Sequence, residues 1–575
     1  MKKYPLLSCV CLLLGMSMMS GKVSAENQSR EKKAIKQWRD LKFGLFIHWG
    51  LYSIPGGVWD GKNVTLGYSE QIQAHGKIAQ KDYVALTKQF KAEGYRAGEI
   101  AKLAKQAGMK YIVFTAKHHD GFSLFDTQGS EYNVVDATPY GKDVLKQLQG
   151  ACQKEGLGLG VYFSLIDWHF PGALPMSSHN SDKIPAAHEK FNLQQIKELM
   201  TNYGPIVEVW FDMSNPTVDQ SKKFAAMVHK HQPGALVNGR VWNNRGDFLV
   251  MSDNQVPKFK MMEPWQTPAS IYKATWGYRS WQKRENLRGK TIQHIKNLVN
   301  VVGRGGNYLL NIGPRGDGSL VPFEVKILQG IGRWMAINHE AIYGTSLNPF
   351  DAELAFGQVT MKKQKMYVHV MDRPSDGKII LPGFKNKIKK VYRLDDSEKK
   401  ALRIRQTENS FIVELGLGVK KDPILDCVQV IVIEFEGELN IEKTNFIEPS
   451  KAGRFEISGK QAVDFFSRSG GDYYSTKRMT VKKQWTIKVK RAGSYRIKIE
   501  GQSKKKHEQY ILQIAGRAVS FSLDDPNASE FIKDALDGLE FKAGHVYDLK
   551  MTLAHPKNKS QDMGVKSMTI VLEKK

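Results

Sequence analysis

The stretch VEVWFDM (207–213) runs through apolar and aromatic residues and then arrives at a carboxylate, Asp212. A charge there is costly if the strand ends in a core, and useful if it ends at a mouth that receives substrate. Other apolar runs finish in the same way. GLFIHWG closes on His48 and Trp49, and YIVFTAKHHDGF on His118, His119 and Asp120. GVYFSLIDWH carries Tyr162 and Trp168, and ALVNGR closes on Arg240. Taken singly, each has a structural reading, as a hydrogen-bonded core histidine or a packed aromatic. Together, imidazoles, an arginine, a carboxylate and aromatic rings at successive strand ends suit a pocket that stacks on a flat polar molecule and hydrogen-bonds its hydroxyls. A sugar fits that description. A metal site does not. Adjacent strand residues face opposite ways, so His118 and His119 make a poor ligand pair. No HxH, HExxH or CxxC supports one either.

The elements that must position these residues alternate from about residue 30 to 340. Strand-like runs at 44–50, 109–119, 157–169, 205–213, 235–240 and 307–314 are separated by helical patterns, among them 97–108, 143–156, 191–204, 221–234 and 290–305. Strands joined by helices of this length pair in parallel. The number of repeats predicts a (β/α) TIM-like barrel over 26–344, with the chemistry at the strand ends. A doubly wound sheet wants a glycine-rich turn after its first strand. HWGLYSIPGG stands there instead. After Tyr343 the texture changes to short alternating strands, which predicts a β-sandwich over 345–440. A second β-domain is expected over 446–575. The fold class is therefore α/β, a barrel followed by two β-sandwich-like domains.

Composition narrows the setting. Residues 1–25 have a basic start, an apolar run and a small-x-small end at Val23-Ser24-Ala25, the pattern of a secretory signal peptide. Cleavage near Ala25 and a periplasmic, cell-surface or extracellular location are expected. No later stretch is long and apolar enough to span a bilayer. Of the 4 cysteines, two fall in the signal, and Cys152 and Cys427 read as buried thiols. The net charge of +27 raises the question of nucleic acid. The lysines are spread and mixed with acids, however, so a solvated surface is expected and no nucleic-acid partner.

Several long motifs now become specific. FGLFIHWGLYSIPGGVW, YIVFTAKHHDGFSLFDT, VEVWFDM, a WGY after a carboxylate-bearing loop, and GRGGNYLLNIGPRGDG occur in collinear order. They resemble those of the exo-acting α-L-fucosidases of glycoside hydrolase family 29, through most of residues 30–345. The resemblance implies a cofactor-free retaining enzyme acting on fucosylated glycans. One carboxylate would attack the anomeric carbon, and a second would act as acid, then base. Asp212 matches the nucleophile. His48, Trp59, Glu70, His118, His119, Tyr162, Trp210, Arg240 and Trp276 match positions that bind the sugar. For the acid/base, Glu263 in MMEPWQTP is the first choice and Asp253 in VMSDNQVP the alternative. The family often has Trp after the residue matched by Glu70, where Gln71 stands here. That departure keeps an α-L-galactosidase-like activity open beside the fucosidase reading, with a catalytically silent glycan-binding protein as the alternative of another class. The last β-domain lies outside the resemblance; carbohydrate binding is the role it suggests.

Overall fold

The computed structural model describes residues 33–171 and 183–574, apart from 258–259, 352, 417–421, 444–446, 452–453, 459–461, 468–479, 504–507, 524–529 and 554–564. The expected export signal lies outside the described residues.

Eight strands form one parallel sheet: β1 (Phe43–Ile47), β2 (Tyr111–Lys117), β3 (Gly158–Ser164), β4 (Ile206–Asp212), β5 (Leu236–Val237), β6 (Leu249–Val250), β7 (Trp265–Ser270) and β8 (Asn307–Ile312). Their spatial order is β5-β4-β3-β2-β1-β8-β7-β6. A parallel bridge from Asn238 to Phe248 joins the two edges and closes the barrel. Every residue of β1, β2, β7 and β8 is buried. Strands covered on both faces read as continuous apolar runs, which is why β1 to β4 stand out in the sequence.

The outer ring contains α1 (Ala97–Gln106), α2 (Val144–Glu155), α3 (Ala186–Asn202), α4 (Val218–His231), α5 (Leu287–Gly303) and α6 (Pro322–Asn338). Local chemistry fixes their ends. Asp143 caps α2 by accepting from the Lys146 amide, and Gly156 ends it at φ 71°. Thr217 and Gln220 form a reciprocal capping box on α4.

Two features differ from the sequence expectation. The strand read at 235–240 is only Leu236–Val237, and Arg240 belongs to the 3₁₀ turn Gly239–Val241 that follows. Strands β6 and β7 were not legible. WQTPAS at β7 carries Gln, Thr, Pro and Ser, so it has neither an apolar run nor an alternation.

Beyond the barrel, a four-stranded antiparallel sheet (357–362, 365–370, 429–435, 388–393) shares a core with a three-stranded one (378–382, 410–414, 404–406). The outer face of the larger sheet joins the barrel's own core through Tyr367, Tyr392, Val430 and Val432. Trp334 of α6 donates its indole N–H to the Val428 carbonyl at 3.0 Å. Two further antiparallel sheets, of four and five strands, enclose a separate core that includes Trp485, Ile497, Leu512 and Leu549. Among the described residues no helix is long and apolar enough to cross a membrane.

Candidate active site

Successive strand residues face opposite sides, so i, i+2 and i+4 share the barrel interior. On β4 those are Glu208, Trp210 and Asp212. On β1 and its continuation they are Phe46 and His48, on β3 Tyr162 and Ser164, on β8 Leu309 and Asn311. The last inward residue of each strand reaches the C-terminal mouth. A pocket of about 190 Å³ opens there. That is the volume of about six waters, room for one sugar ring. Phe46, Tyr162, Trp210 and Trp276 give it apolar faces, and His48, Glu70, His118, His119, Asp212, Arg240 and Asp253 give it polar ones.

Asp212 is held on both oxygens. Tyr162 donates its hydroxyl to Oδ2 at 2.8 Å, and Arg240 donates Nη1–H to Oδ1 at 2.8 Å. The second guanidinium nitrogen of Arg240 donates to Asp253 Oδ1 at 2.7 Å. One cation therefore bridges two carboxylates, and it lies 4.8 Å from the Trp210 ring centre, a cation–π stack. Burial, the largest influence on Asp212, pushes its pKa up. The Arg240 charge, His119 and the hydrogen bonds from Arg240 and Tyr162 together outweigh it, and the carboxyl sits below its ordinary value. The backbone beyond Asp212 is strained: Met213 and Ser214 both hold left-handed φ, 62° and 68°. Asn238 staples this end by accepting from the Phe211 amide at 3.0 Å and donating to the Phe211 carbonyl at 2.9 Å.

The histidines are neutral acceptors or donors rather than cations. Asn311 gives its amide N–H to the Trp276 carbonyl at 2.7 Å, so its oxygen faces His48 Nδ1 at 2.6 Å. The network thus assigns the proton of His48 to Nδ1, leaving Nε2 as an acceptor. Burial lowers the His48 pKa to about 3. His119 Nδ1 meets Ser164 Oγ at 2.8 Å, and that hydroxyl donates onward to the Ile166 carbonyl, which makes His119 the donor. Burial takes its pKa to about 4. His118 is buried with no partner on Nδ1. Glu70 accepts from the Trp276 and Gly277 amides at 3.1 and 2.9 Å, and burial raises its pKa to about 7 despite them. Among the described residues no cluster of three or more His, Cys, Asp or Glu could hold a metal ion.

The sequence matches the alpha-L-fucosidase family over residues 13–340. The chain belongs to that family. It is 30% identical to the tissue alpha-L-fucosidase of Rattus norvegicus over 397 residues, which are 64% of this chain and 84% of the relative. The crystal structure of alpha-L-fucosidase from Vibrio sp. strain EJY3 superposes with a TM-score of 0.67 at 25% identity, covering 94% of this chain and 98% of that one. A family 29 alpha-L-fucosidase from Bacteroides thetaiotaomicron, solved as a covalent intermediate trapped with 2-fluoro-fucosyl fluoride, gives a TM-score of 0.63 at 26% identity. That match covers 70% of this chain and 96% of that one. The chain is thus a glycoside hydrolase on an alpha-L-fucosidase scaffold.

Within this fucosidase fold, the pocket brings together His48, Glu70, His118, His119, Tyr162, Trp210, Asp212, Arg240, Asp253 and Trp276. It does not include Trp59, which sits half-buried on the two-residue strand pair 58–59 and 62–63. Nor does it include Glu263, the first choice for the acid/base. Glu263 precedes the first residue of β7, and the neighbouring Pro264 carbonyl accepts from the first amide of β6. Arg39, just ahead of β1, donates to the Met262 carbonyl and feels the Glu263 charge. In a parallel barrel all strand starts lie at the end opposite Asp212. Trp168 packs with Ile166 and Met213, and Asp120 accepts from the Tyr83 hydroxyl at 2.8 Å, outside the pocket. The pocket also uses Phe46, Tyr68 and Met213, which sequence reasoning missed. Phe46 was within reach, two residues before His48 on the inward face. Tyr68 and Met213 lie outside the barrel strands and carry no such signal.

Proposed function

We propose that this chain releases terminal α-linked L-fucose from glycans by double displacement, with Asp212 as nucleophile and Asp253 as acid/base. The observation that carries this reading is the Arg240 guanidinium shared by the two carboxylates at the mouth. Retaining enzymes need their pair about 5–5.5 Å apart, and inverting ones about 6.5–9.5 Å. Two carboxyl groups on adjacent nitrogens of one guanidinium favour the closer class. The covalent intermediate of the Bacteroides relative supports the same choice. Asp212, held ionised by Arg240 together with Tyr162, attacks the anomeric carbon while Asp253, protonated on Oδ2, the oxygen that does not accept from Arg240, gives that proton to the departing glycosidic oxygen. Asp253 then takes a proton from water, whose oxygen displaces Asp212. His48, Glu70, His118 and His119 supply polar partners for the ring hydroxyls, and Phe46 and Trp276 the apolar wall for the methyl group. Export through residues 1–25 belongs to this proposal.

The test uses the purified chain and an aryl α-L-fucoside, followed by NMR. α-L-Fucose as first product is expected. Asp212→Gly should abolish turnover, and azide should restore it as a fucosyl azide. A β first product, or full activity in Asp212→Gly, sinks the mechanism. Gln71 lines the pocket next to Glu70, its side-chain oxygen 3.1 Å from His75 Nε2, and presents an amide to a hydroxymethyl group in place of the methyl. Aryl α-L-galactoside should therefore be assayed in parallel.

A further inference from the structure

Below the sugar pocket a buried polar cluster lies among the apolar side chains of the barrel interior. Gln266 on β7 and Glu208 on β4 are both fully buried. The Gln266 amide nitrogen donates to both Glu208 oxygens, at 2.9 and 3.0 Å, and to the Tyr111 hydroxyl at 2.9 Å. Trp38 donates its indole N–H to Glu208 from below. Acceptors thus surround the Gln266 nitrogen, which fixes the amide with its oxygen turned the other way. That oxygen accepts the indole N–H of Trp210 at 2.6 Å. Trp210 is the ring under the Arg240 guanidinium. Room for the group is built into the neighbouring strands. A Cβ on Gly44 would fall 2.4 Å from the Tyr111 ring, and one on Gly160 3.0 Å from Glu208 Cγ.

We infer that Gln266, anchored by Glu208, is a positioning residue that fixes Trp210 and, through it, the Arg240 guanidinium between Asp212 and Asp253. This rests on the fucosidase reading for its kinetic consequences, but not for the hydrogen bond itself. A buried indole N–H left without an acceptor carries the full desolvation penalty, so without Gln266 the ring must tilt to find another partner or stay unsatisfied. Arg240 follows the ring, and the two carboxylates follow Arg240. A misaligned nucleophile and acid lower kcat and kcat/KM together. A group that merely filled space would lower stability and leave the rate intact.

The experiment has a spectroscopic arm and a kinetic arm. The Trp210 indole N–H resonance of the ¹⁵N-tryptophan-labelled full chain, assigned by its absence in Trp210→Phe, should move upfield in Gln266→Leu. On an aryl α-L-fucoside, Gln266→Leu should lower kcat by about tenfold, the worth of one buried hydrogen bond, with KM nearly unchanged. In a Trp210→Phe background, where no indole N–H needs an acceptor, the same substitution should cost far less. Gln266→Glu gives a second probe and covers the case in which the leucine variant fails to fold. The titratable groups facing position 266 are Glu208 from β4 and Tyr111 from β2. With a proton shared between the new carboxyl and Glu208, the variant can still donate to Glu208 and accept from Trp210. Its rate should therefore fall as pH rises and that proton leaves, a limb additional to the one that loss of the Asp253 proton gives the wild type. An unmoved indole resonance overturns the inference. So does an equal kcat loss in both backgrounds, or a Gln266→Glu pH profile shaped like the wild type's. Wild-type turnover of the fucoside decides the glycosidase reading separately, and the resonance decides the hydrogen bond whether or not there is turnover.

Discussion

Arg240→Met removes the one cation that separates two carboxylates at the mouth. Arg240 bonds Asp212 at 2.8 Å and Asp253 at 2.7 Å, with the Asp212 side chain 15% exposed. Charge centres about 4 Å apart interact by about 4 kcal/mol at an effective dielectric of about 20. Losing that attraction moves the Asp212 pKa up, and partial exposure screens part of the effect. Asp212 begins below its ordinary value, and burial, then opposed only by His119 and the Tyr162 hydrogen bond, drives it up. The assay is kcat/KM for an aryl α-L-fucoside against pH. The acid limb, which on the proposed mechanism reports ionisation of Asp212 in the free enzyme, should move to higher pH. The plateau should fall as well, because the acid/base loses its seat. Arg240→Lys should lie between, since an ammonium keeps the charge but not the planar fork that serves two carboxylates at once. An acid limb that stays in place in Arg240→Met would refute the claim that Arg240 is what keeps Asp212 ionised.

Two other outcomes follow. Asp253→Asn should slow glycans with poor leaving groups by about 10²–10⁴ and activated aryl fucosides much less, while Glu263→Gln stays within about twofold on both; the reverse pattern, read from paired kinetics on the two substrate types, would restore Glu263. Burial holds His48, His294 and His369 at about 3 and His119 and His188 at about 4, so below about pH 6.5 the unfolded chain binds protons that the folded chain refuses, and stability falls with pH. Burial raises Glu70, Glu208 and Asp120 to about 7 and Glu324 to about 8. Those groups stabilise below about pH 4 and lose that contribution as pH rises through 7 to 8. The two sets oppose each other between about 4.5 and 6.5. Melting temperature should be flat there and fall on both sides, and a melting temperature that climbs steadily from pH 4 to 9 would contradict the assignment.

The sequence showed the barrel where its strands are apolar and hid it where they are polar. β1 to β4 are runs of β-branched and aromatic residues, and their last inward residues, His48 and Asp212 among them, meet at one mouth. β7 is WQTPAS, and its Gln266 faces a buried glutamate. No apolar period can reveal such a strand. Missing it had a direct cost. Without β7, nothing in the sequence set Glu263 and Asp253 at different heights of the barrel, and the resemblance made Glu263 the first choice. With β7 in place the strand separates Glu263 from the mouth by the height of the barrel. Asp253 leaves β6 at its C-terminal end and so meets Arg240.

β4 also explains how a strand can carry charge at its end. Glu208 and Asp212 lie on one face of it, four residues apart, and burial pushes both carboxyls toward the neutral form. Glu208 receives only neutral donors, the Gln266 amide and the Trp38 indole, and rises to about 7. Asp212 receives a guanidinium as well, and falls below its ordinary value. The strand does not decide which carboxyl stays ionised, and neither does depth alone. The decision lies with Arg240, delivered from a turn after β5 and seated on Trp210, the residue between the two carboxyls on the same face. A glutamate exchanged into the place of Asp212 would keep the charge but push its oxygens past the Tyr162 and Arg240 donors, so charge without this geometry should not suffice for attack.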